Sequence, residues 1–294
     1  DEAQRVKNIR ITLKWIIDNF KDVQVIATGS SSFDLANKTT ESLTGRKYEF
    51  YLYPFSIEEL NPEKNKIEID RTIENRMIYG LYPEVIIKSA EAEENIKLIA
   101  KSYLYKDILQ YQNIKNPNIL EKLLQSLALQ VGNEVSYNEL SNFLDIDKKT
   151  VANYIEILKK AFVIFELKPF SRNLRNELRK LRKIYFFDNG VRNALINNFN
   201  SLDRRNDAGQ LWENFIISER VKINGNHGND YNMYFWRTHD KKEIDYLEEK
   251  NGKLYGYEIK LGSGRSSGAK LFLDTYPDSE LKVIKKDNYN ELIF

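Results

Sequence analysis

The chain contains no cysteine and only two histidines, His227 and His239, among its 294 residues. The first absence excludes disulfides and thiolate-held zinc or iron–sulfur centres. The second leaves little room for a His-rich metal site or a His-based triad, so any metal must be a hard, oxygen-ligated ion such as Mg²⁺ or Mn²⁺. No apolar run approaches the roughly 18 residues of a membrane span, and no signal peptide opens the sequence. A cytoplasmic protein without membrane contact is therefore expected. Neither sign of charge dominates: 45 Lys and Arg against 43 Asp and Glu leave a net charge of +2. That is too small to advertise a nucleic-acid partner, so local clustering must carry any such argument. What is present, 41% hydrophobic and 30% charged residues, describes a globular protein with room for about two or three domains.

The most informative residues are Glu258-Ile259-Lys260, at the end of the apolar run Leu254-Tyr255-Gly256-Tyr257. Side chains at i and i+2 of a strand share a face, so Glu258 and Lys260 emerge side by side. Upstream stands Asp245 in Lys241-Lys242-Glu243-Ile244-Asp245, and Glu249-Lys250-Asn251-Gly252 reads as the hairpin turn between the two runs. Folded back, the hairpin brings Asp245 close to Glu258. Two carboxylates and an ammonium are the set that holds Mg²⁺ and positions a water for attack on a phosphodiester. An exposed strand pair of alternating charges is the plainer reading.

Ala208 to Glu219 carries apolar residues at 211, 212, 215 and 216, a helical period, with Glu213 off that stripe. Phe235 to Thr238 reads as a strand leading into the Asp245 turn. Helix carboxylate, hairpin Asp and Glu-x-Lys, in that order, resemble the PD-(D/E)xK nuclease superfamily with its restriction-endonuclease-like α/β core. The resemblance covers roughly the last third of the chain. It implies catalytic roles for Glu213 and Lys260, and Mg²⁺ or Mn²⁺ held by Asp245 and Glu258.

The N-terminal part reads as a helix from Ile9 to Phe20, then a strand, Val23 to Thr28, ending in the polar turn Thr28-Gly29-Ser30-Ser31. Asp1-Glu2-Ala3-Gln4, that turn, Leu43-Thr44-Gly45-Arg46, Tyr53-Pro54-Phe55-Ser56 and Gly80-Leu81-Tyr82-Pro83-Glu84 together resemble the second half of a prokaryotic AAA+-like ATPase core. The family in question carries a C-terminal domain of unknown function. The resemblance implies ATP and Mg²⁺ in the intact protein. Asp1 would hold Mg²⁺ through water and Glu2 would polarise the attacking water. Thr28 and Ser30 would sense the γ-phosphate, and Arg46 would act as an arginine finger, which admits a homo-oligomer. An ordinary helix N-terminal carboxylate pair is the other reading of Asp1 and Glu2. No G-x-x-x-x-G-K-[ST] phosphate loop occurs in the chain. A fragment lacking the Walker A half, unable to hydrolyse ATP by itself, is therefore expected.

Residues 61 to 115 read as a polar helical connector. Ile119 to Val131 has a helical period, Ser136-x-x-Glu139 is a capping-box signature, and Asp147 to Lys160 opens another helix. With strands at Phe162–Leu167 and Lys183–Asp188, these read as a winged helix-turn-helix. Between the strands lies the densest basic run of the chain, with Arg172, Arg175, Arg179, Lys180 and Arg182. With Lys149, these are the candidate phosphate contacts to a nucleic acid. A solvated or subunit-facing loop is the alternative. The expected fold is a multidomain α/β protein. Residues 1–60 form a truncated P-loop ATPase remnant, 61–117 a helical connector, 118–190 a winged helix and 191–294 a restriction-endonuclease-like α/β domain. The function implied is an ATPase coupled to a DNA-associated, nuclease-like domain; a non-catalytic DNA- or protein-binding module is the alternative.

Overall fold

Apolar periodicity sets the helices, and the computed structural model describes them over residues 3, 6–29, 47–63, 65–102, 116–171, 182–262, 264 and 267–294. Helix α1 (Ile9–Asn19) forms where expected. The expected strand Val23–Thr28 does not: it finds no ladder partner among the described residues. A strand without a partner has unpaired backbone groups, so the segment stays irregular. Its link to the start of the chain is Ala3 N–H donating to the Thr28 carbonyl at 2.8 Å.

The connector is helical. Helix α2 (Ile57–Leu60) starts on a reciprocal capping box in which the Ser56 hydroxyl accepts from Glu59 N–H and the Glu59 carboxylate accepts from Ser56 N–H. Helices α3 (Lys66–Tyr79), α4 (Pro83–Ile87) and α5 (Ala92–Ser102) follow. The remainder of the expected connector helix, 103–115, lies outside the described residues.

Next come α6 (Pro117–Leu129), β1 (Glu134–Val135), α7 (Tyr137–Leu144) and α8 (Lys148–Lys160). Ser136 caps α7 by accepting from Glu139 N–H, and Asp147 caps α8 by accepting from Thr150 N–H at 2.9 Å. Strands β2 (Ile164–Pro169) and β3 (Arg182–Phe186) form an antiparallel hairpin, and β1 pairs with β3. After α9 (Asn189–Leu195), the long helix α10 (Ala208–Asn226) buries Leu211, Trp212, Phe215 and Ile216, the stripe its period announced.

Strands β4 (Asn232–Arg237), β5 (Glu243–Lys250) and β6 (Lys253–Ile259), helix α11 (Ala269–Thr275), strand β7 (Glu280–Ile284) and helix α12 (Asn290–Ile293) complete the order. The β5–β6 ladder closes at Lys250 opposite Lys253. The two-residue turn Asn251-Gly252 has φ of 54° and 79°, the left-handed pair that a type I′ hairpin requires.

The seven strands of the described residues join one mixed sheet in the order β1-β3-β2-β4-β5-β6-β7. The link between the expected 118–190 and 191–294 segments is a short parallel pairing of β2 with β4 at Lys168–Tyr234 and Pro169–Phe235. Among the described residues the larger apolar core runs from Ile57 in α2 to Ile293 in α12, and a smaller cluster gathers Trp236, Ile244, Leu247, Leu254 and Phe272. Burial of the two hairpins against the same α10 thus brings β3 near the strands that carry the candidate site.

Candidate active site

The site grows out of the place where β5 and β6 part. Their ladder ends at Tyr246 opposite Tyr257. One position further on, the Asp245 carboxylate replaces the ladder by accepting from Ile259 N–H at 2.8 Å. Lys260 N–H turns to the Ile284 carbonyl of β7 at 2.9 Å, which fixes the backbone at the end of the motif. Glu258 and Lys260 lie on one face, and their side chains meet at 2.8 Å; the Lys260 ammonium stands 3.7 Å from Asp245. Asp245 and Glu258 are buried, while Lys260 keeps about a third of its side chain exposed. The ammonium is thus the solvent-facing member.

Glu213 on α10 completes the expected quartet from the other side. It accepts from the Tyr185 hydroxyl at 2.7 Å and lies 3.4 Å from the Lys183 ammonium. Lys183 is the connector: it also pairs with Glu243 and stands 4.0 Å from Asp245. Beyond Glu243, Arg237 bridges to Glu134, at 3.1 and 3.0 Å respectively. Five carboxylates, Glu134, Glu213, Glu243, Asp245 and Glu258, therefore face three cations, Lys183, Arg237 and Lys260.

Charge is in excess on the acidic side, and the electrostatics follow. Burial pushes Glu258 up to about 7, helped by the Asp245 charge and opposed by Lys260. Burial likewise pushes Glu213 up to about 7, against the pull of Lys183 and with the repulsion of Asp245. For Lys260 burial works in the opposite direction, but the Asp245 and Glu258 carboxylates outweigh it and raise its pKa. One oxygen of Glu258, Oε2, is buried without a hydrogen-bond partner. A carboxylate oxygen left bare in this way is a ligand position that protein groups do not fill. Among the described residues no group of three or more His, Asp or Glu is arranged to hold a metal ion as it stands. Asp245 and Glu258 alone offer the pair that Mg²⁺, which keeps several of its waters, takes from a protein.

The other expected residues fare differently. Asp1, Glu2, Ser30 and Arg46 lie outside the described residues, as do Arg172, Arg175, Arg179 and Lys180. Thr28 is exposed, and its carbonyl accepts from Ala3 N–H at 2.8 Å. Lys149 is exposed in the first turn of α8. Arg182 is engaged inside the protein: both oxygens of buried Glu166 accept from it at 3.1 Å, and it stacks 4.7 Å from the Tyr137 ring.

Sequence reading missed Lys183, Tyr185 and Glu243. Glu243 carried a signal, since it stands two residues before Asp245 and so shares its face. Lys183 and Tyr185 also alternate on one face of β3, but nothing local ties that face to Glu213, 28 positions beyond Tyr185.

Comparison with known proteins places these segments. Residues 1–61 match the AAA domain family, 70–202 match a domain of unknown function (DUF8612), and 208–290 match a second domain of unknown function (DUF4143). Uncharacterized protein Rv2008c of Mycobacterium tuberculosis is 27% identical over 264 residues, which cover 88% of this chain and 57% of that protein. An uncharacterized protein of Haemophilus influenzae is 24% identical over 303 residues, covering 100% of this chain and 70% of its own length. Uncharacterized protein MJ1544 of Methanocaldococcus jannaschii is 25% identical and covers 100% and 71%. The chain spans 57% of the length of the mycobacterial relatives it matches. No solved structure matches it. The matches at the two ends support an AAA-like ATPase family. No helix among the described residues is long and apolar enough to cross a membrane.

Proposed function

We propose that the chain belongs to an ATP-hydrolysing AAA-type protein whose C-terminal part carries a Mg²⁺- or Mn²⁺-dependent, nuclease-like site on a DNA-associated module. The observation that carries the proposal is the convergence of Glu213, Asp245 and Glu258, from α10, β5 and β6, around the ammonium groups of Lys183 and Lys260. Asp245 and Glu258 would hold the ion, and the bare Glu258 Oε2 fits that role. When bound, the ion supplies Lewis acidity on a phosphodiester and a water of lowered pKa. Lys260, about a third of its side chain in solvent, is placed to stabilise charge developing on the phosphate, and Glu213 shapes the acidic wall through Tyr185 and Lys183.

The nucleic-acid reading rests on the two helices α7 and α8 followed by the β2–β3 hairpin, an arrangement in keeping with a winged helix. In the sequence, Arg172, Arg175, Arg179 and Lys180 fall between the two strands of that hairpin. In the longer protein, Asp1 and Glu2 would serve ATP hydrolysis with Mg²⁺. Arg46 would reach a neighbouring subunit, and the whole would work in the cytoplasm.

A second reading, a non-catalytic DNA- or protein-binding module, is favoured by one feature: Lys183 already neutralises part of the acidic cluster. Cleavage assays on DNA and RNA with Mn²⁺ separate the two. The nuclease reading expects activity that Asp245→Asn abolishes together with Mn²⁺ binding, and that Lys260→Ala abolishes while Mn²⁺ binding persists. A wild-type chain that binds no Mn²⁺ and cleaves none of these substrates leaves the binding-module reading.

A further inference from the structure

Strand directions decide what shares an end of the sheet. β2 runs parallel to β4, β5 runs antiparallel to β4 and β6, and β7 runs parallel to β6. The C-terminal ends of β2, β4, β6 and β7 and the start of β5 therefore lie together, at the end where Asp245, Glu258 and Lys260 stand. β3 pairs antiparallel with β2, so it begins at that end too.

Lysines line this end. Lys168 is the second-last residue of β2, Lys241 and Lys242 lie in the β4–β5 turn, and Lys260 follows β6. Ile259 is opposite Ile284, so the next position of that register sets Lys285 beside Lys260. The strand lysines share a face. Lys168 pairs with Tyr234, which packs in the smaller apolar cluster with Leu254, and alternation along β6 carries the Leu254 face on to Glu258 and Lys260. The turn is held in shape: Thr238 N–H donates to the Lys242 carbonyl at 2.9 Å, and Lys242 N–H donates to the Thr238 hydroxyl at 3.1 Å. Lys168, Lys241 and Lys242 are exposed, and with half-buried Lys285 they make no ion pair among the described residues. The acidic cluster beside them is served by Arg237, Lys183 and Lys260 instead. Asp240 and Asp287 are exposed acids at this end, so the lysines remain in excess there.

We propose that this end of the sheet is the track of a DNA strand, whose backbone phosphates lie along Lys168, Lys241, Lys242 and Lys285 and pass over Lys260. The inference rests on the nucleic-acid reading above and names the surface that holds the substrate. Uncommitted ammonium groups are what a polyanion exchanges for its counterions, and contacts of this kind position a strand without reading its sequence. From β2 to β7 the row crosses four strand spacings, about 19 Å, room for several phosphates. Because β2 and β3 meet this same end, the hairpin and the Asp245–Glu258 pair would hold one DNA molecule between them.

The test uses the full chain with chelator and fluorescent DNA of mixed sequence, single-stranded and duplex. Replacing Lys168, Lys241, Lys242 and Lys285 together by Gln should weaken binding alike on different sequences and lower the duplex salt slope by about 0.9 per lost contact. Gln at the exposed Lys7, Lys101, Lys122 and Lys250 makes the same change of charge elsewhere and should leave the slope near that of wild type. Location is read separately, since the chain has no cysteine of its own. A photo-crosslinker on the His239→Cys chain, in the β4–β5 turn, should capture DNA. One on the Lys250→Cys chain, at the opposite end of β5, should not. An unchanged slope in the first variant, or capture from position 250 as strong as from 239, overturns the inference while DNA binding itself stands. A wild-type chain that binds neither form of DNA overturns the nucleic-acid reading and this inference together.

Discussion

Replacing Glu258 by Gln should stabilise the protein at alkaline pH in the absence of divalent ions, although it removes a charge that pairs with Lys260. The argument comes from burial and from Asp245, which together lift the Glu258 carboxyl from its ordinary 4.5 to about 7. A carboxyl whose pKa is raised on folding contributes fully to stability below about pH 4.5, and that contribution drains away as pH rises through about 7. At about 1.4 kcal/mol per pH unit, the ionised fold at pH 8 carries a cost of about 3 kcal/mol. Gln keeps the shape, can still accept from Lys260 and cannot ionise. Because relief of the repulsion is shared with Asp245, a gain of about 1–3 kcal/mol at pH 8 is expected, shrinking to about zero near pH 4.5. The assay is urea unfolding of wild type and Glu258→Gln with chelator, from pH 4.5 to 8. Adding Mn²⁺ should then reverse the order, since an ion bound only by folded wild type stabilises it by mass action. A Glu258→Gln chain less stable than wild type at pH 8 with chelator, or a difference independent of pH, would refute the reasoning.

Three further experiments probe the surroundings. Arg182→Ala should cost about 2 kcal/mol in urea unfolding, because it strips a buried carboxylate, Glu166, of its main partner while leaving Lys159 at 3.9 Å and the Tyr137 hydroxyl. Alanine at Arg175 and Arg179 should spare stability and lower the salt slope of DNA binding by about one unit per lost phosphate contact; the reverse pattern would mean that Arg182 is the nucleic-acid residue. Gly190→Ala should cost upwards of about 3 kcal/mol in thermal unfolding, because its Cβ would lie 2.1 Å from the Tyr79 carbonyl oxygen, a backbone atom with no room to retreat. A loss under about 1 kcal/mol would mean that this approach of α9 to α3 is loose.

The legible parts of the site were those set by local rules. Glu258 and Lys260 share a face because strand side chains alternate, and the Asn251-Gly252 turn folded Asp245 back towards them. Glu213 was legible as the off-stripe carboxylate of a helix whose apolar face is buried in full. Lys183 was read instead as part of a basic hairpin, since its pairing with Glu213 depends on how β3 packs against α10, a tertiary fact with no local trace. The ion pair of Arg182 was hidden for the same reason: its partner Glu166 lies diagonally across the β2–β3 ladder. The expected strand at Val23–Thr28 had the right apolar pattern, but a strand exists only with a neighbour, and none is among the described residues. Helix ends fared better, because Ser136 and Asp147 are caps that act within four residues.

The central claim is that Asp245 and Glu258 hold a divalent ion beside Lys260. The most direct test is the anomalous difference map of a crystal of this chain grown with Mn²⁺. The account predicts one peak, bonded to an Asp245 oxygen and to Glu258 Oε2 at about 2.0–2.3 Å, as hard oxygen-ligated ions require. No peak there at saturating Mn²⁺, with Lys260 still clasping both carboxylates, would contradict it.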